Sequence, residues 1–133
     1  MMILTALLLQ ASAQAAEPQV DCDNAMTQTE MNICSWQSYQ RADAELNAAW
    51  SRASEHAKEM DRNAAEYDGD TSAHSRLLAA QRAWLKFRDA HCLAENGERE
   101  GGGTIWPLLQ NGCLEALTEA RTAQLRQYVE MPY

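Results

Sequence analysis

The chain has 133 residues, 46% hydrophobic and 23% charged, with four cysteines and a formal net charge of −8. That is enough chain for one domain with a modest core, and too apolar a composition for intrinsic disorder. The acidic balance argues against a nucleic-acid partner, and no apolar run reaches the roughly 20 residues that a membrane span requires.

The first nine residues are almost entirely apolar and lead into small residues, with Ala13-Gln14-Ala15 in the form of an A-x-A cleavage site. This predicts a signal peptide over residues 1–15 and one domain over 16–133, although no Lys or Arg precedes the apolar run. Cys22 lies too far beyond the apolar run to be a lipid-attachment site, so the expected product is periplasmic or secreted without a membrane anchor.

A long helix is predicted from residue 27 to about residue 60. Thr27-Gln28-Thr29-Glu30 has the form of a capping box, in which the Thr hydroxyl accepts a free backbone N–H and the Glu reaches back. After it Tyr39, Ala42, Leu46, Ala49, Trp50, Ala53, Ala57 and Met60 recur at three- and four-residue steps. Residues 61–72 lose that period; Asp68-Gly69-Asp70 reads as a turn, and Thr71 or Ser72 as the next N-cap. A second helix runs to about Ala94, and its stripe of Leu77, Leu78, Gln81, Trp84, Leu85, Arg88, His91 and Cys92 mixes apolar with large polar residues. Residues 95–104 include Gly101-Gly102-Gly103 and read as a loop with some freedom. Thr104 is placed to cap a third helix that tolerates Pro107 in its first turn. Leu109, Cys113, Leu117, Ala120, Arg121, Gln124 and Tyr128 carry it to about Glu130. The expected fold class is all-α, an antiparallel bundle of three main helices.

Cys22, Cys34, Cys92 and Cys113 are separated by 12, 58 and 21 residues, with no close pair of the kind structural zinc sites use. Disulfides are therefore favoured over metal, in keeping with export. Three connectivities remain open. The helix layout favours Cys22–Cys34, which fastens the segment before helix one, and Cys92–Cys113, which spans the glycine-rich loop.

No constellation points to catalysis. His56-x-x-Glu59 offers one metal face without a third ligand, and His74 stands apart from any such spacing. His91 and Cys92 are adjacent on a helix and point about 100° apart, against a Cys–His nucleophile pair. The spacings Asp43/Asn47 and Glu55/Glu59 carry no sign of a buried acid. The glycine run lacks the Lys-Ser/Thr of a phosphate loop. Trp36, Trp50, Trp84 and Trp106 fit core anchors better than a ligand platform. Gln81, Arg88 and Arg121 fall on or beside inward stripes, where charge needs a partner; with Asp43, Asn47 and Asp89 they suggest a polar layer that fixes helix register. No catalytic residue, metal or cofactor is expected.

The sequence resembles the lysozyme inhibitor LprI-like N-terminal domain family of bacterial exported proteins. The resemblance is carried by Cys22 with Thr27-Gln28-Thr29-Glu30-Met31-Asn32-Ile33-Cys34, by Ala42-Asp43-Ala44-Glu45-Leu46-Asn47, and by Gln81-x-x-Trp84-x-x-x-Arg88-Asp89-x-x-Cys92. It continues through Gly102-Gly103-Thr104-Ile105, Cys113, and residues 117–125. It implies a lysozyme inhibitor that binds a cell-wall lytic enzyme; the alternative is a non-enzymatic envelope interaction or structural module with no lysozyme target. Many lysozymes are basic and hold two carboxylates in a cleft, so an inhibitor should offer a protruding segment. Residues 95–104 fit: Glu95, Glu98 and Glu100 for a basic rim, Arg99 for the carboxylates, and Gly102 within the flexible run.

Overall fold

The structure, a computed structural model, describes residues 19–132, so the expected signal peptide lies outside the described residues. Three helices form an up-down-up bundle: α1 (Gln28–Ala65), α2 (Ala73–Asn96) and α3 (Trp106–Glu130), with a 3-10 turn at Arg99–Gly101. Among the described residues there is no strand. Consecutive helices run antiparallel, which makes α1 and α3 parallel, and their shared face is the most extensive contact in the molecule.

The capping box forms as predicted: the Thr27 hydroxyl accepts from the Glu30 N–H, and the Glu30 carboxylate accepts from the N–H groups of Met26 and Thr27. These backbone bonds hold the Glu30 carboxyl below the usual carboxylate range. At the far end, Asp68 takes a left-handed φ of 53° and lets Gly69 N–H return to the Ala64 carbonyl at 2.8 Å, a Schellman-type closure. Ser72 occupies the next N-cap but its hydroxyl turns to Asp70 and caps nothing. The α2 N-terminus is capped instead by Asp61 of α1, whose two oxygens accept from Ala73 N–H at 2.7 Å and His74 N–H at 3.1 Å. A carboxylate at this position also complements the positive end of the α2 dipole. The α1–α2 turn is thereby fixed at both sides.

The α1 stripe is buried as its period requires, at Ala42, Leu46, Ala49, Ala53 and Ala57. On α3 the observed inward face is rotated from the predicted one. Gln110, Asn111, Thr118, Thr122 and Leu125 are buried, while Leu109 is exposed. Cys113 and Arg121, on the predicted stripe, meet α2. The apolar period picks out the α2-facing side, whereas the wider contact, with α1, is lined by threonines opposite alanines. The Thr122 hydroxyl donates to the Thr118 carbonyl inside its own helix, so its burial leaves no donor unpaired.

Both disulfides are present, Cys22–Cys34 and Cys92–Cys113, each with 5.7 Å between Cα atoms. On the loop-closure estimate each contributes about 3 kcal/mol.

Ala53 is fully buried in the core it shares with Leu77 of α2 and Leu125 of α3, so Ala53→Leu should cost about 1–3 kcal/mol by overpacking. The exposed Ala48→Leu should be neutral in the same urea titration. A pH dependence follows as well. The carboxyl pKa values of Glu30, Glu55 and Asp70 are all lowered, first by the Thr27 backbone N–H, the Arg62 guanidinium and the Ser72 hydroxyl respectively. Folded pKa values below the unfolded ones mean stability is full above the ordinary carboxylate range and is lost as pH falls through the folded values. Thermal melts should show this fall, and Glu30→Gln should make it shallower.

Candidate functional site

The first turns of α1 and α3 and the segment between α2 and α3 meet at one end of the bundle and enclose an open groove of about 620 Å³. Ile33 and Trp36 line it from α1, Trp106, Pro107 and Leu114 from α3, and Arg99 from the 3-10 turn. The remaining lining residues are polar: Thr29, Asn32, Gln37, Gln110 and Asn111. Trp36 is 47% exposed there and stacks at a tilt on Tyr39, with 5.7 Å between ring centroids. The four tryptophans thus divide. Trp50 and Trp84 pack against the central core, while Trp36 and Trp106 face the groove.

The segment expected to be a free loop is firmly held. Helix α2 extends to Asn96, so Glu95 belongs to its last turn, where its carboxylate meets His91 Nε2 at 2.9 Å. Gly97, with φ 67°, ends the helix, and its carbonyl accepts the Trp106 indole N–H at 2.9 Å. The Asn96 amide donates to Gln110 Oε1 at 3.0 Å, and the Asn32 amide donates to the Thr104 carbonyl at 2.9 Å. Gly102 lies directly beneath the Trp106 side chain, where any Cβ would collide with it. Glycine is required there by packing rather than mobility; of the run, only Gly103 uses a positive φ, 66°. Thr104 does not cap α3. Ile105 takes that position with no side-chain cap, and Pro107 sits in the first turn as predicted. Glu98, Arg99 and Glu100 are exposed on the outer surface of this tethered segment.

The inward polar residues form two separate clusters. Arg88, 8% exposed, donates from Nε to Asp89 Oδ1 at 3.0 Å and from Nη1 to the Thr118 hydroxyl at 3.4 Å. It also lies over the rings of Tyr39 and Trp84, at 5.7 and 5.3 Å from the centroids, an arrangement that stabilises a desolvated guanidinium. Asp43 is more distant, at 4.0 Å. Burial pushes the Tyr39 phenol up, with Arg88 opposing. In the second cluster Arg121 donates from Nε to the buried Gln81 at 2.9 Å and from Nη1 to Gln124 at 3.0 Å; burial lowers its pKa. Asn47 is in neither cluster and stands exposed beside Asp43.

Of the weighed metal and nucleophile patterns, His56 packs edge-on to Tyr128, and Glu59 pairs with Arg62 at 2.5 Å. His91, Glu95 and Cys113 converge, but the Cys113 sulfur is bonded to Cys92 and offers no thiolate. Ser54 Oγ lies 3.0 Å from His74 Nε2, a pair the sequence does not suggest. The groove is not legible there either, because Trp36 lies off the periodic stripe of α1 and Trp106 meets it only through the fold.

The chain has relatives among known proteins. The family model described as Lysozyme inhibitor LprI matches residues 21–125. An uncharacterized protein of Rhizobium meliloti (strain 1021) is 38% identical over 121 residues, covering 90% of this chain and 86% of the relative. The uncharacterized protein YecT of Escherichia coli (strain K12) is 30% identical over 116 residues, covering 81% of this chain and 71% of the relative. No solved structure gives a significant match.

Gly102→Ala should displace Trp106, shift tryptophan emission and cost about 1–3 kcal/mol by overpacking. Gly101→Ala meets nothing within 4 Å and should leave both readouts unchanged.

Proposed function

The chain belongs to the lysozyme inhibitor LprI family, and on that premise we propose that it is an exported inhibitor that binds a cell-wall lytic enzyme and acts without catalysis. The observation that carries the reading is the family match over residues 21–125, which takes in α1, α2, most of α3 and both disulfides. Two disulfides suit an oxidising compartment outside the cytoplasm.

The contact is assigned to the exposed segment Glu98-Arg99-Glu100 at the rim of the groove. A net charge of −8 steers the protein toward a basic lysozyme surface, raising the association rate in a salt-dependent way. Arg99 makes no ion pair among the described residues, which leaves its guanidinium available to a carboxylate in a lysozyme cleft. The tether formed by Cys92–Cys113, Asn96–Gln110 and Trp106–Gly97 holds the segment ready, which reduces the ordering entropy of binding.

Clearance of a peptidoglycan suspension by several lysozyme types, with and without the protein, tests the reading. Inhibition of at least one type is expected, with association slowing as salt rises. Arg99→Ala should weaken that inhibition about tenfold, equivalent to about 1.4 kcal/mol. No inhibition of any type would overturn the function; full inhibition by Arg99→Ala would overturn the assigned contact.

A further inference from the structure

We propose that the groove between α1 and α3 is a binding site for a small amphipathic carboxylate, its apolar body against Trp36, Ile33, Trp106 and Leu114 and its head group on Arg99. The volume of about 620 Å³ lies within the range of small-molecule sites, roughly 300–1,000 Å³, and the walls set two indoles, Ile33, Pro107 and Leu114 among polar side chains.

Several polar groups of the walls are already engaged within the protein, which favours a ligand with an apolar body. Asn32 accepts from Gln28 and donates to the Thr104 carbonyl; Gln110 accepts from Asn96; Asn111 donates to Ser35. The Trp106 N–H is held by the Gly97 carbonyl, so this ring offers the groove carbon rather than a donor. A sugar would leave several hydroxyls poorly paired among such walls, at a cost for each, whereas a hydrocarbon chain or ring would not.

Two features select the head group. Arg99 stands at the rim without an ion-pair partner among the described residues. The α3 helix opens beside it with no side-chain cap and no acidic residue in its first turn, so the positive end of its dipole is uncompensated at the same mouth. Both favour an anion in a chain that is otherwise strongly acidic, and a carboxylate matches the guanidinium fork in two parallel hydrogen bonds.

This site shares Arg99 with the contact proposed for a lysozyme, but its ligand binding is read on the protein alone and so stands or falls separately from inhibition. The full chain is titrated with decanoate and with decanol, following tryptophan emission and heat. Decanoate should bind saturably at one site, about tenfold more tightly than decanol. Arg99→Gln should remove that preference while leaving decanol binding within about twofold. Trp36→Ala, at a half-exposed position, should weaken both ligands. Absence of saturable decanoate binding overturns the proposal. So does equal affinity for acid and alcohol in the parent chain, or binding unaffected by Trp36→Ala.

Discussion

The close approach of α3 to α1 sets the rest of this molecule. Ala42, Ala49, Ala53 and Ala57 give α1 a nearly smooth face, broken by Leu46, and Thr118, Thr122 and Leu125 of α3 lie along it. Small side chains let two long helices pack side by side, but each buries little apolar area, and hydrophobic stabilisation scales with that area. The largest fully buried side chains are Leu125, Thr118 and Cys92, a thin core for a domain of this length. The two disulfides answer that deficit. One fastens the chain ahead of α1 to its second turn, and the other joins α2 to α3 across the connection between them.

A consequence appears on α2. With α1 and α3 occupied by each other, α2 packs over their seam and presents Gln81 and Arg88 inward where larger apolar residues would be expected. A buried guanidinium is tolerable only with compensation, and Arg88 has an adjacent carboxylate, a buried hydroxyl and two aromatic faces. Thr118 therefore has two duties, small enough for the α1 contact and polar enough to accept from Arg88. Satisfied in this way, Arg88 links all three helices: it projects from α2, meets Thr118 of α3 and lies over Tyr39 of α1.

The groove follows from the same constraint at the end of the bundle. There the alanine stripe gives way to Ile33 and Trp36, and the α1 and α3 backbones are held by the bonds from Asn32 to Thr104 and from Asn111 to Ser35. Two indoles, one from α1 and one from α3, line this groove beside Arg99, which stands on a segment pinned by a disulfide and a tryptophan–carbonyl bond. Rigid exposed aromatic and guanidinium groups are the side chains from which binding hot spots are made.

Local rules were enough for part of this. The capping box at Thr27 and Glu30, the α1 stripe, the three helices and the pairing of neighbouring cysteines all depend on interactions within a few turns of chain, and they were legible in the sequence. The α2 stripe, with Gln81 and Arg88 inward, was legible for the same reason, and so was the family. Tertiary structure decided what depends on a partner far along the chain. Ser72 takes the N-cap position that the sequence offers, but the capping bonds to α2 come from Asp61 of another helix. The buried face of α3 is the threonine side because α1 opposite it is alanine, and periodicity weighs hydrophobicity without knowing what lies across the interface. Gly102 looked like a source of freedom and is instead the space beneath Trp106. Trp36 and Trp106 share a groove because parallel α1 and α3 bring their first turns together, a proximity hidden by the long stretch of chain between them.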